Sequence, residues 1–222
     1  MAALHLWLLR HGATEWALNG RHTGNTDLPL LPQGEAEARG LAPVLAQHRF
    51  TAVFSSPLQR ARRTCELAGL GEQAQIEPNL KEWDYGDYEG LTTAVIRESV
   101  PDWTVFSHPC PGGESSDQVQ QRCERVIARA SAYASGAPGE RCDVALFAHG
   151  HILRSLAGCW LGQGPAGGAR LVLGTGSFCV LGYERQTRAL IHWNAPAQMA
   201  ESQNPCHLED TRPSQRGVDD AG

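Results

Sequence analysis

LWLLRHGATEW, Leu6 to Trp16, carries an apolar run directly into an arginine, a histidine and a glycine. Far downstream, VALFAHGH, Val144 to His151, does the same: an apolar run ends on His-Gly-His. Short apolar runs stopped by glycine read as central strands of a sheet. Two strands that each deliver histidines at their ends point to a site there, and the rest of the chain can be searched for its other parts.

The chain has 222 residues and a net charge of −5. That length suits one large domain. The charge gives no global field for nucleic acid or an anionic membrane, so neither is expected as a partner. An anionic substrate would need a local cluster of arginines. No apolar run reaches the roughly 18 residues that span a bilayer. The N-terminal run is short, lacks a basic leader and flows into the suspected site, so it does not read as a signal peptide. The seven cysteines are odd in number and have no Cys-x-x-Cys spacing. Free thiols in a reducing cytoplasm are the expectation. Cys206-His207 lacks the further ligands a metal site needs, and no metal or cofactor is expected.

Strand and helix patterns alternate along the chain. Strands are expected at residues 4–9, 52–54, 75–77 and 144–147. Helices are expected at residues 32–47, from Pro57 with Ser56 as cap, at 91–99, 116–133 and 152–161. Residues 177–183 and 190–193 read as a hairpin at a sheet edge, and residues 11–30 as a long loop. Such alternation predicts an α/β fold: a three-layer α/β/α sandwich with a mostly parallel central sheet and an antiparallel edge strand. Residues 1–195 would form the domain. From Pro196 the chain turns polar and loses its periodicity, so residues 196–222 read as a disordered tail.

In parallel sheets, ligands gather beyond the carboxyl ends of the strands. Arg10, His11, Ser55, Ser56 and His149 all lie there. A neutral imidazole is a good nucleophile, which suits His11. Arg10 presents a planar fork that fits two phosphoryl oxygens. Arg60 lies one turn into its helix, near a helix N-terminus that itself favours anions. Arg62 and Arg63 read as a solvated helix face. His149 can donate to a phosphoryl oxygen, with Gly150 allowing close approach. LKEWDYGDYEG, Leu80 to Gly90, holds four carboxylates: Glu82, Asp84, Asp87 and Glu89. One of them, shielded by Trp83 and Tyr85, is placed to be a general acid with a raised pKa. With no metal motif and no GxxxxGK[ST] loop, the set points to phosphoryl transfer through a phosphohistidine.

These residues resemble the histidine phosphatase, or phosphoglycerate-mutase-like, superfamily. RHGATEW is similar to its Arg-His-Gly-x-Thr-Glu signature, SSPLQRARRT to its second arginine motif and FAHGH to its second histidine motif. The resemblance spans about residues 4–194. It implies that His11 is phosphorylated, that Arg10, Arg60 and His149 complete the phosphate pocket, and that Glu82 donates a proton. It also implies that Thr23 and Gly24 contact phosphate or substrate and that His151 lies near the pocket.

Two departures separate the chain from the mutases. Ala17 stands where they commonly have Asn, and Trp83 where an Arg follows the donor Glu. Loss of polar and cationic groups disfavours reorientation of a bisphosphate intermediate. The expected activity is therefore hydrolysis of a small phosphate monoester, a sugar phosphate or bisphosphate. EWDYGDYEG, TGNTDLPL and AHGH look most like the sugar-phosphate phosphatase branch, which includes sedoheptulose-bisphosphatase-like enzymes. The rivals are a phosphoglycerate mutase and a phospho-ligand-binding module without turnover. Selectivity is expected from residues 22–30 and from residues 96–113, where Trp103, Phe106, Ser107 and His108 are candidates to line the mouth, although Trp103 and Phe106 read at least as well as packing residues. A homodimer through a sheet edge is compatible with the sequence.

Overall fold

A computed structural model describes residues 3–134 and 140–196. Its centre is a six-stranded sheet of β1 (Ala3–Arg10), β2 (Phe50–Ser55), β3 (Ala74–Ile76), β4 (Arg141–Ala148), β5 (Ser177–Glu184) and β6 (Thr187–Pro196). The strand order is β3-β2-β4-β1-β5-β6. The first four in that order are mutually parallel, while β5 runs antiparallel to both β1 and β6. The expected sandwich with an antiparallel pair at one edge is the observed architecture.

The side-chain alternation of a strand explains the layers. Leu4, Leu6 and Leu8 face one side, where they join a core built with α5 (Ser116–Ser131) and α6 (Gly150–Trp160). Trp7 and Leu9 face the other, against Leu41 and Leu45 of α2 (Pro32–Leu45) and Cys65 of α3 (Gln59–Leu67). Both faces of β1 are therefore sealed, which is why its sequence is nearly continuous apolar. Truncating Leu6 or Leu8 to alanine would cost about 2–5 kcal/mol. A capping box at Ser115 and Gln118 starts α5, and the buried stripe Val119, Cys123, Val126, Ile127 and Ala130 follows the helical period.

Register brings the strand ends together. Arg10 of β1 pairs with Ala148 of β4, and Ser55 of β2 with Phe147. The ladder continues one residue further: the His11 N–H donates to the Ala148 carbonyl (3.0 Å) and the Ser56 N–H to that of Phe147 (2.9 Å). His11, Ser56 and His149 thus leave the sheet from adjacent points.

Four local expectations change. The loop at residues 11–30 contains a short helix, α1 (Glu15–Asn19), capped by the Thr14 side chain. The helix expected from Pro57 begins at Gln59 instead, with Leu58 as cap. Ser56 does accept from the Leu58 N–H, but its hydroxyl is also engaged by His149, and it stays at the strand end. The short strand near residue 75 is Ala74–Ile76, and the helix near residue 91 is α4 (Thr93–Ser99). Among the described residues no helix is long and apolar enough to cross a membrane. The tail beyond Pro196, with Cys206 and His207, lies outside the described residues.

Candidate active site

The loop after β1 is held on every side. The Gly12 N–H donates to Thr64 Oγ1 of α3 (3.1 Å), Ala13 N–H to the Glu37 carboxylate (2.9 Å), and Gly176 N–H to the His11 carbonyl (3.1 Å). Gly12 is required by contact: a Cβ there would fall 2.1 Å from the Gly34 carbonyl oxygen on α2. The backbone that carries His11 is therefore locked against a helix rather than hung in solvent.

His11 Nδ1 lies 2.8 Å from the Gly12 carbonyl oxygen. A carbonyl only accepts, so Nδ1 carries the hydrogen and Nε2 keeps its lone pair. Burial, then the charges of Arg60 and Arg10, push the His11 pKa well below its ordinary value. The ring is thus neutral with a free nitrogen, as a nucleophile requires. Beside it, Arg10 donates through Nη1 to the Leu173 carbonyl, while its Nε is buried with no partner. A buried donor left unpaired costs free energy, and an anion in the adjacent cavity would relieve it.

That cavity, about 120 Å³, is lined by Arg10, His11, Thr23, Glu82, Gly150 and His151, all expected from the sequence. A larger hollow of about 620 Å³ between α2 and the turn before β5 has no arginine, lysine or histidine in its lining. Glu82 sits on the first turn of α6. Its Oε2 accepts from His151 N–H (3.0 Å), and its Oε1 from Ile152 N–H (2.8 Å) and Trp83 N–H (2.9 Å). A carboxyl has about four lone-pair positions, so one remains at Oε2.

Arg60, His149 and Gly24 do not line the cavity; they stand behind it. Arg60 is fully buried. Its Nε donates to His149 Nδ1 (3.0 Å), Nη1 to the Thr26 carbonyl (2.8 Å) and Nη2 to the carbonyls of Thr23 (3.0 Å) and Gly24 (3.1 Å). Since Arg only donates, His149 carries its hydrogen on Nε2, 2.7 Å from Ser56 Oγ. Burial, then Arg60, His11 and Arg10, hold the His149 pKa well down. The rings of His11 and His149 are 5.1 Å apart. Gly24 N–H is taken by the Glu89 carboxylate (2.9 Å). Glu89 also accepts from Thr26 N–H (3.0 Å), so it ties down this loop.

The lining also holds Arg21, Arg154 and Leu173, which the sequence does not single out, together with His22, expected only as the start of the selectivity loop, and Tyr85, expected only as a shield for the acid. Arg154 follows Gly150 by four residues on α6, so helical spacing from the glycine points to it. Tyr85 Oη lies 2.5 Å from His151 Nδ1. Burial raises the Tyr85 pKa well above its ordinary value and lowers that of His151, so a neutral phenol and a neutral imidazole share this hydrogen bond. In the 96–113 stretch the two aromatics pack, and the expectation that Ser107 and His108 line the mouth is corrected. Trp103 is buried against His22 and Tyr88, and Phe106 lies under the Arg154 guanidinium and beside Trp83. Ser107 and His108 hydrogen-bond each other in a turn outside the lining. Arg62 is exposed as expected, and exposed Arg63 pairs with Glu35 and Glu66. Among the described residues no cluster of three or more metal-ligating side chains occurs.

Comparison with known proteins gives the same picture. An acid phosphatase of Mycobacterium tuberculosis is 40% identical over 187 residues, covering 83% of this chain and 89% of that protein. Sedoheptulose 1,7-bisphosphatase of Saccharomyces cerevisiae is 36% identical over 182 residues, covering 71% and 67%. The solved structure of an open reading frame from M. tuberculosis superposes with a TM-score of 0.81 at 38% identity, covering 87% of this chain and 98% of the other. The histidine phosphatase superfamily (branch 1) profile matches residues 6–196. The chain belongs to the histidine phosphatase superfamily, and with that its paired histidines and unmatched arginine find their family.

Proposed function

We propose that the chain hydrolyses a sugar phosphate or bisphosphate in two steps through a phosphohistidine on His11. The observation that carries this is the His11 tautomer: Nδ1–H fixed on the Gly12 carbonyl and Nε2 unprotonated, next to the unpaired Nε of Arg10. Nε2 attacks phosphorus, the bond to the leaving oxygen breaks, and the proton on Glu82 passes to that oxygen. The Glu82 carboxylate then takes a proton from water as the water attacks phosphorus. The N–P bond breaks, its electrons return to Nε2, and inorganic phosphate leaves. Arg10, in the same cavity lining as His11, supplies charge stabilisation at the phosphoryl oxygens, with the His151 ring beside it. Arg60 keeps the field positive, and its Nε fixes the neutral His149 ring beside His11.

Phosphate hydrolysis rather than isomerisation is favoured by Ala17, which lines the cavity where a mutase has a polar group. The buried Trp83 replaces a cation in the same way. Arg21 and Arg154 also line the cavity, which suits a second anionic group on the substrate. At about 120 Å³ the cavity takes a phosphoryl group and leaves the sugar at the mouth. The six cysteines among the described residues are unpaired, which supports a reducing, cytoplasmic setting.

The test is a trap. Rapid acid-free denaturation during turnover of labelled substrate should yield an alkali-stable, acid-labile phosphoprotein, absent from His11→Ala. His11→Ala that keeps full phosphate release, or label on another residue, overturns the reading.

A further inference from the structure

The segment that carries Glu82 has little regular structure of its own; only the short turn Pro78–Leu80 precedes it. Its place is set from α5. Arg122 has five N–H donors, and each has an acceptor. Nε donates to Glu114 Oε1 (2.7 Å) and Nη2 to Glu114 Oε2 (2.6 Å). Nη1 donates to the carbonyls of Asn79 (2.9 Å) and Lys81 (2.7 Å), and Nη2 also to that of Glu82 (3.3 Å). Glu114 grips the other side of the same segment. Its Oε2 accepts from Asp84 N–H (3.0 Å), its carbonyl from the Trp83 indole (3.1 Å), and its own N–H donates to the Asp84 carbonyl (3.0 Å). The pair is mostly buried, and neither residue lines the catalytic cavity.

We propose that Arg122, together with Glu114, is a positioning residue for proton transfer: it clasps the main chain on both sides of Glu82 so that the carboxyl rests on the first turn of α6 facing His11. This rests on Glu82 being the proton donor. Proton transfer demands about 2.6–3.2 Å between heavy atoms, and a displacement of about 1 Å costs on the order of 100-fold in rate. Three carbonyls and a bidentate carboxylate match the flat fork of a guanidinium. A lysine offers three donors around one point and cannot replace it.

The experiment compares Arg122→Lys, Glu114→Gln and Glu82→Gln on two substrates: 4-nitrophenyl phosphate, whose leaving group needs little protonation, and glycerol phosphate, whose alkoxide needs it. Arg122→Lys should lower kcat on glycerol phosphate about tenfold or more, with kcat on the aryl ester within about threefold and KM for both little changed. Glu114→Gln should show the same skew, smaller, and Glu82→Gln the same skew, larger. If Glu82→Gln is skewed while folded Arg122→Lys and Glu114→Gln are not, the clasp is wrong and the donor assignment stands. If Glu82→Gln shows no skew, the donor assignment fails and the clasp falls with it. Equal losses on both substrates, or failure of both clasp variants to fold, would make the pair a folding determinant and overturn the positioning role.

Discussion

The strand β1 has a histidine near each end, and the two sit in opposite electrostatic settings. At the start, His5 Nδ1 lies 3.7 Å from the Asp143 carboxylate, which also holds Arg141 Nε at 2.8 Å and faces His48 Nδ1 at 3.8 Å. Every charge there meets its opposite. At the finish, His11 lies among Arg10, Arg60 and His149, and among the described residues no ion pair contains either arginine. The carboxylates around it are turned onto backbone N–H groups: Glu82 onto the N-terminus of α6, Glu37 onto Ala13 and Glu89 onto Gly24 and Thr26. Burial lowers the pKa of both histidines, but at His5 the charges of Arg141 and Asp143 oppose each other, while at His11 the charges of Arg60 and Arg10 both add to the shift. One end of the strand is balanced internally. The other is balanced only when an anion arrives, and that imbalance is what a phosphoryl site consists of.

Exchanging the arginines breaks or sharpens this contrast most. Arg10→Ala should lower kcat/KM by about 10³ with little change in Tm, because it removes a donor aimed at the developing charge and an unpaired buried cation together. Arg141→Ala should leave kcat/KM within about twofold and lower stability by about 1–2 kcal/mol. A half-exposed arginine is screened, but its partner Asp143 is buried and would keep only distant histidines. Phosphate-release kinetics and thermal unfolding of the two variants decide it. A stability loss at Arg10 with intact activity would reverse the assignment of the two ends.

The next effect is on pH. Burial depresses the pKa of His11, His149 and His151 well below 6.5 and that of His22 to about 4. An unfolded histidine binds its proton near pH 6.5. The native state therefore binds fewer protons than the unfolded chain below that pH, so these groups stabilise the fold above pH 6.5. Their contribution is lost as pH falls toward the native values. For His22 alone the interval from 6.5 to about 4 corresponds to about 3 kcal/mol. Thermal unfolding should show Tm falling below pH 6.5 and a shallower fall in His22→Asn. The same shift means that His11 stays unprotonated through pH 6.5, so kcat/KM should show no acid limb centred there. A limb at 6.5 that disappears in His5→Asn would place the working histidine at the wrong end of the strand.

How much of this was legible follows the covalent proximity of each residue to a strand end. Arg10, His11 and His149 are legible because apolar runs stop on them. Glu82 is legible only as one of four carboxylates until the motifs on either side are recognised. Arg154 hides as an ordinary helical charge, and Arg122 more so, since it sits between the buried stripe residues Val119 and Cys123. Its meaning lies in carbonyls some forty residues away, and no periodicity encodes those. Trp103 and Phe106 are ambiguous in the sequence, because an aromatic in a loop reads equally as lining or as packing, and only the fold shows that they pack. Ser56-Pro57 carried a strong helix-start signal, but His149 competes for the serine hydroxyl, a contact between segments far apart in the chain.

The smallest effects belong at the rim of the cavity, where the balance at the finish end of β1 extends to a second anion. Arg21 is exposed and rests on the Trp16 ring at 5.9 Å, so its removal should not disturb the fold. Arg154 is anchored by Nε on the Gly168 carbonyl (3.0 Å) with its guanidinium over Phe106. If the two arginines receive a second phosphate, Arg21→Ala should raise KM for a sugar bisphosphate about three- to tenfold, as expected for a partly screened charge-assisted contact. Arg154→Ala should do so somewhat more. In both variants KM for the matching monophosphate should change less than about twofold, since that substrate leaves the rim unoccupied. Steady-state kinetics on the paired substrates at low and moderate salt read this directly, and the bisphosphate effect should shrink as salt rises. Equal KM changes for the two substrates would show that the rim arginines act on the first phosphoryl group, making the unmatched charge at this end of β1 larger than one phosphate requires.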